Sequence, residues 1–279
     1  MTYLENKHLA LIEPLREING YNTMLSLIKE KNKTVCATGL VDAQKPHMMY
    51  GAASHLGKPL LVITYDETRA KQIYEDLSFL YNEDIVYIYP AQDILFYGAD
   101  VRSTDITVER MKVMDAILYK KNTVVIASID SLLNKIMPKE TFLSNILTFT
   151  VGDIIKLDDV ERKLIQLGYE RVSLVENIGQ FTLRGGIIDV YPVTAEHVYR
   201  IELWDDEIDS IRSVNPYSQR SIEKVESMRI LPMKEMIFSS KEIIKAANNI
   251  EKDCEYVGAK LKEQGRKEVA LELKSKIKE

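Results

Sequence analysis

A pair of glycines set inside an otherwise regular alternation limits this chain more than any other feature. In Gly179-Gln-Phe-Thr-Leu-Arg-Gly-Gly-Ile-Ile-Asp-Val-Tyr-Pro192, Phe181 and Leu183 alternate with Thr182 and Arg184, the period of a half-buried strand. Gly185 and Gly186 break that pattern. Beyond them the apolar positions fall on Ile188 and Val190 with Asp189 between, so the pair reads as a bulge or a tight turn. A second ribbon follows after Pro192. Tyr199, Ile201 and Leu203 face one way, toward a core, and Arg200, Glu202 and Trp204 face the other, before the turn-like Asp205-Asp206-Glu207. By its own alternation Arg184 joins the polar face, which also holds the single tryptophan of the chain.

Upstream the rhythm is different. A short amphipathic piece carrying Leu9, Ile12, Leu15 and Ile18, broken by Pro14, precedes a helix through Leu25 and Ile28. Strands are expected at 34–38, 60–64, 85–89 and 123–128, and helices at 45–56, 67–81 and 104–120. Strands alternating with helices imply a parallel sheet, and the nearly all-apolar Thr123-Val-Val-Ile-Ala127 suits a central strand. After Ser128 strand-like segments gather around one helix at 157–167, so a domain boundary is expected near 134–138. Asn215-Pro216 reads as a linker, 228–232 as a further strand, and Ser239 with Glu242 as a capping box opening a Lys/Glu-rich helical tail. Having no closing strand, that tail reads as part of a longer protein.

The chemistry has to be sought at Gly39. A P-loop places GxxxxGK[ST] between strand and helix, so that backbone N–H groups cradle phosphate, the lysine neutralises it and the hydroxyl holds magnesium. Gly39-Leu-Val-Asp-Ala-Gln-Lys-Pro46 keeps the frame and loses the chemistry. Gln44 replaces the second glycine, Pro46 has no hydroxyl beside Lys45, and Asp42 adds negative charge. Taken alone, the residues are better read as a strand-ending glycine followed by an exposed lysine at a helix start.

Elsewhere the sequence excludes more than it offers. A net charge of −5 gives no global basic field for nucleic acid or anionic lipid. Cys36 and Cys254 lack a CxxC or Cys/His partner and read as reduced thiols. His8, His47, His55 and His197 are scattered, no metal site is expected, and the acidic run from Asp205 to Asp209 lacks the glycine and terminal glutamate of a calcium loop. No nucleophile motif such as GxSxG occurs, so no catalytic residue is expected. No run of ~18 apolar residues marks a membrane span, and a cytoplasmic protein is expected.

The run from Gln180 to Pro192, the ribbon from Glu196 to Arg212 and Ser218-Gln-Arg-Ser221 resemble the bacterial transcription-repair coupling factors (Mfd) and, more loosely, domain 2 of the excision-repair helicase UvrB. The match is specific over about 168–232, weaker over 34–128, and without a motif beyond Phe238. The resemblance implies an α/β fold in which a degenerate P-loop-like parallel-sheet domain carries an inserted, mostly antiparallel α+β domain, as in UvrB domains 1a-2-1b. The expected division is 21–134 for domain 1a, 135–214 for domain 2, and 1–20 plus 215–279 for domain 1b. It further implies a non-catalytic module that recruits UvrA, with Arg184, Arg200 and Trp204 as the contacts; the family usually has phenylalanine at the last. ATP, magnesium, RNA polymerase and DNA would then concern regions outside these residues. UvrB-like helicases also grip DNA with a long aromatic hairpin, for which Tyr89 to Asp105 is too short; Phe96 and Tyr97 either stack on a base or close a loop. The competing expectation is a piece of an ATP-dependent UvrB-type helicase.

Overall fold

Alternation of apolar strands with amphipathic helices builds the first half of the chain, and alternation within strands builds the second. The computed structural model describes residues 10–30, 33–81, 85–92, 104–238 and 240–276. Phe96 and Tyr97, and Ser239 of the expected capping box, lie outside them.

The first region is α/β. Strands β1 (Leu60–Thr64), β2 (Val86–Tyr89) and β3 (Val124–Ser128) form a parallel sheet in the order β1-β3-β2, with Val62 beside Ile126 and Ile88 beside Ile126 on the other side. Central β3 is buried along its whole length, as its unbroken apolar sequence requires. The crossovers run through helices Glu67–Tyr81 and Thr104–Tyr119. Ala70, Ile73 and Leu77 recur at helical spacing and pack on Val62, Val86, Val124 and Ile126. The amphipathic opening piece joins this core through Ile12, and Leu15 packs against Tyr21 and Leu25 of helix Tyr21–Lys29. One expected strand does not form among the described residues: 34–38 makes no ladder with any of them. Thr34 and Val35 favour strand only where a half-buried pleated surface can form, and this run stays largely exposed.

The second region begins with β4 (Leu147–Thr150) and helix Leu157–Leu167, whose Val160, Leu164 and Leu167 are buried. Strands β5 (Glu170–Arg171), β6 (Gln180–Arg184), β7 (Ile187–Val190), β8 (Val198–Trp204), β9 (Glu207–Val214) and β10 (Ser221–Val225) follow in a six-stranded sheet ordered β10-β9-β8-β7-β6-β5. Only the β5–β6 pair is parallel. Finally β11 (Ser227–Ile230) pairs antiparallel with β4, setting Met228 opposite Phe149. Tyr169 reinforces that return, since its hydroxyl donates to the Leu231 carbonyl at 2.8 Å. The fold class is therefore α/β, a parallel three-stranded sheet joined to an antiparallel region.

The chain divides after Glu235 into two compact units. The second unit contains helices Ser240–Glu263 and Lys267–Lys276.

Candidate functional site

The glycine pair closes the β6–β7 hairpin as a two-residue turn, with Arg184 directly opposite Ile187. Gly185 takes φ +58, which glycine adopts without a Cβ penalty, and a Cβ on Gly186 would come within 3.1 Å of the Leu203 carbonyl oxygen. Both glycines are thus needed, one for the turn and one for the close approach of β8. Register then sets the face. Arg184, Ile187, Glu202 and Ser210 form one row across four strands, and Thr182, Asp189, Arg200 and Arg212 the next. Trp204 continues the same side of β8. On the opposite side Phe181, Ile188, Val190, Ile201 and Ile211 are buried. Of the three residues expected there, Ile201 is buried and Tyr199 and Leu203 are half-buried.

The three expected contact residues therefore share a face but are not alike. Trp204 is 81% exposed at the end of β8, beside the turn in which Asp205 takes φ +58. Arg184 is also exposed, and no ion pair engages it among the described residues. Arg200 is committed within the sheet. Its Nε and Nη2 donate to the two carboxylate oxygens of Asp189 at 2.7 and 2.8 Å, and Nη2 reaches Gln219 Oε1 at 3.4 Å. The bidentate hydrogen bond to Asp189 raises the Arg200 pKa further above its ordinary value. Glu202 is likewise occupied, accepting from Ser210 Oγ at 2.9 Å and pairing with Arg212. Sequence alone does not pair Asp189 with Arg200. Its signal was present, a carboxylate between Ile188 and Val190 on the charged side of a strand.

At the other candidate loop, Gly39 takes φ +78 and helix Gln44–Leu56 begins without a side-chain cap. The loop satisfies itself. Gln44 Oε1 accepts from the Val41 N–H at 3.1 Å, Lys45 Nζ donates to Asp42 Oδ1 at 2.8 Å, and Arg69 reaches the same oxygen at 3.1 Å. The hydrogen bond from Lys45, with the Arg69 and Lys45 charges, holds the Asp42 carboxyl below its ordinary value. Pro46 is buried within the first turn. A phosphate here would compete with a carboxylate that already holds both nearby cations.

A third polar cluster had no sequence signal. Arg110, in helix Thr104–Tyr119, is fully buried and forms an ion pair with Glu235, which is 8% exposed. The guanidinium also donates to the Tyr89 hydroxyl at 2.6 Å and to the Pro90 carbonyl, while Gln92 Nε2 donates to Glu235 at 2.9 Å. Burial, with Glu235 adding to it, pushes the Tyr89 hydroxyl up to about 12. Arg110, Tyr89 and Pro90 belong to the α/β region and Glu235 follows β11, so the cluster clamps the end of the sheet region to the α/β region.

A cavity of about 290 Å³ lined by Ser54, Lys58, Tyr81 and Lys121 lies at the C-terminal end of helix Gln44–Leu56, away from the Gly39 loop. Among the described residues no group of three or more His, Cys, Asp or Glu side chains could hold a metal ion, and no helix is long and apolar enough to cross a membrane.

Residues 147–236 match the family model for the UvrB interaction domain. Over 255 residues, 91% of this chain and 22% of the relative, the sequence is 31% identical to the transcription-repair-coupling factor of Bacillus subtilis (strain 168). Over 229 residues, 82% of this chain and 19% of the relative, it is 32% identical to the transcription-repair-coupling factor of Staphylococcus aureus (strain USA300). The chain spans about a fifth of the length of these curated relatives.

Proposed function

This chain is homologous, over nearly its whole length, to part of the transcription-repair-coupling factors and carries a UvrB interaction domain, and from that premise we propose that it is a non-catalytic docking module that recruits UvrA in transcription-coupled excision repair. One observation carries the reading: on a sheet face where Arg200 is paired with Asp189 and Arg212 with Glu202, Trp204 and Arg184 are left exposed beside the β6–β7 turn. Tryptophan and arginine are the side chains most enriched among the few that dominate binding energy at interfaces. Arg200 acts with them from a fixed position, oriented by Asp189. In this reading residues 21–134 serve as the supporting α/β domain, and its Gly39 loop binds no nucleotide because Gln44, Pro46 and Asp42 remove the phosphate cradle. Contacts with RNA polymerase and DNA, and any ATP-driven step, fall to regions outside these residues.

Titration of the purified chain with purified UvrA tests the proposal. Trp204→Ala and Arg184→Ala should each weaken binding by ~2 kcal/mol or more while unfolding at the parent temperature. Unchanged affinity in both variants, or a parent chain that does not bind UvrA, would overturn it.

A further inference from the structure

The same face holds a second exposed apolar side chain that the three-residue site leaves unused. Ile154 is 80% exposed and stands in an antiparallel bridge opposite Glu207. Its backbone is fixed. Gly152 N–H donates to the Ile208 carbonyl at 2.8 Å, Ile208 N–H to the Asp153 carbonyl at 2.9 Å, and Ile155 N–H to the Asp206 carbonyl at 2.8 Å. These bonds add a short extra strand to β9 at the end that β10, paired with Ile211 to Val214, does not reach. Directly opposed residues in an antiparallel bridge point to the same side, and Glu207 is itself directly opposite Trp204. Trp204, Glu207 and Ile154 therefore form one row across three adjacent segments. With neighbouring strands ~5 Å apart, the two apolar side chains stand about 10 Å from each other, on either side of the carboxylate.

We propose that this row, continuous with Arg184 at the adjacent turn, is the full docking edge, and that Ile154 is a second apolar anchor for the recruited partner. The proposal rests on the UvrA reading given above. A single exposed isoleucine on a surface is ordinary, but two large apolar side chains in one register row, neither covered by the rest of the chain, make a patch. The order of groups describes the partner. It offers two apolar seats about 10 Å apart, a cation between them for Glu207, and a carboxylate beside them for Arg184. Isoleucine has no polar group that would need exposure, and nothing in its own domain packs on it. Its burial in a complex therefore adds affinity without cost to the fold.

The test is a titration of purified UvrA with the parent chain and with Ile154→Ala, Ile154→Asp, Glu207→Lys and Arg184→Ala, each first checked by thermal unfolding. Ile154→Ala should weaken binding roughly tenfold, and Ile154→Asp and Glu207→Lys more, with melting temperatures unchanged. If Ile154→Asp melts early, Ile154→Thr, which keeps the β-branch, takes its place. Loss of binding in Arg184→Ala with parent-like binding in every Ile154 variant overturns the row and leaves the UvrA reading standing. A parent chain that fails to bind UvrA overturns both.

Discussion

The Gly39 loop and the Arg184–Trp204 face treat their polar groups in opposite ways. Around Gly39 each cation is matched inside the loop or by its neighbour: Lys45 and Arg69 converge on Asp42, and Gln44 caps the backbone of Val41. On the sheet face the interior charges are matched as well, Arg200 with Asp189 and Arg212 with Glu202, but the edge is not. Arg184, Trp204 and Ile154 are left to solvent. In the proposed reading the first region fills its own loop with side chains in place of a ligand, whereas the second orders its interior and leaves an aromatic and a cation outside for a partner. The lesson is that frame and occupancy must be read separately, because the loop has the spacing of a P-loop while Gln44, Pro46 and Asp42 stand at its demanding positions.

The largest expected effect concerns the clamp on which both regions depend. Glu235→Ala leaves the guanidinium of fully buried Arg110 with only neutral acceptors, and breaking a buried pair in this way costs about 3–5 kcal/mol. Urea unfolding should show that loss. The double variant Arg110→Met with Glu235→Leu should recover most of it, since an apolar pair of similar volume carries no uncompensated charge. Equal stability of Glu235→Ala and the parent would remove the clamp from the picture.

A smaller effect separates the interior of the face from its edge. Arg200→Ala strands the Asp189 carboxylate, which is only 6% exposed, and should lower stability by ~1–3 kcal/mol as well as weaken UvrA binding. Trp204→Ala should weaken binding alone. Paired measurements of unfolding and affinity decide the matter, and an Arg200→Ala chain as stable as its parent would mean that the Asp189 pair does not order the face.

How far the fold could be read from sequence follows the range of each interaction. Strands β6, β7 and β8 were legible because Phe181 to Trp204 carries its period locally, and helix Leu157–Leu167 because its apolar residues recur at 3.6. The shared face of Arg184, Arg200 and Trp204 followed from alternation. What failed depended on distant partners. The run at 34–38 has strand-favouring residues without a neighbour to pair with, Arg110 gains its carboxylate from 125 residues away, and Ile154 meets β9 across a bridge that no local pattern encodes. The bidentate pair of Asp189 and Arg200 lies between the two cases. Alternation puts Arg200 on the charged side and Asp189 between two apolar positions, but only the register of β7 against β8 sets them opposite each other.

The smallest expected effect falls on the loop, and it tests the first half of the comparison. Lys45→Ala removes one of two cations on an exposed carboxylate. An exposed helix-start ion pair is weak, and Arg69 remains to hold Asp42, so the unfolding midpoint should stay at the parent value. Nucleotide binding is the sharper readout. With Gln44 where a glycine would admit phosphate and Pro46 where a hydroxyl would hold magnesium, neither the parent chain nor Lys45→Ala should bind fluorescent ATP tightly in the presence of magnesium. A low-micromolar affinity in the parent, lost in Lys45→Ala, would show that the loop rearranges around phosphate by releasing Asp42. The contrast between a self-filled loop and an open face would then dissolve, and the ATP-dependent helicase reading would gain support.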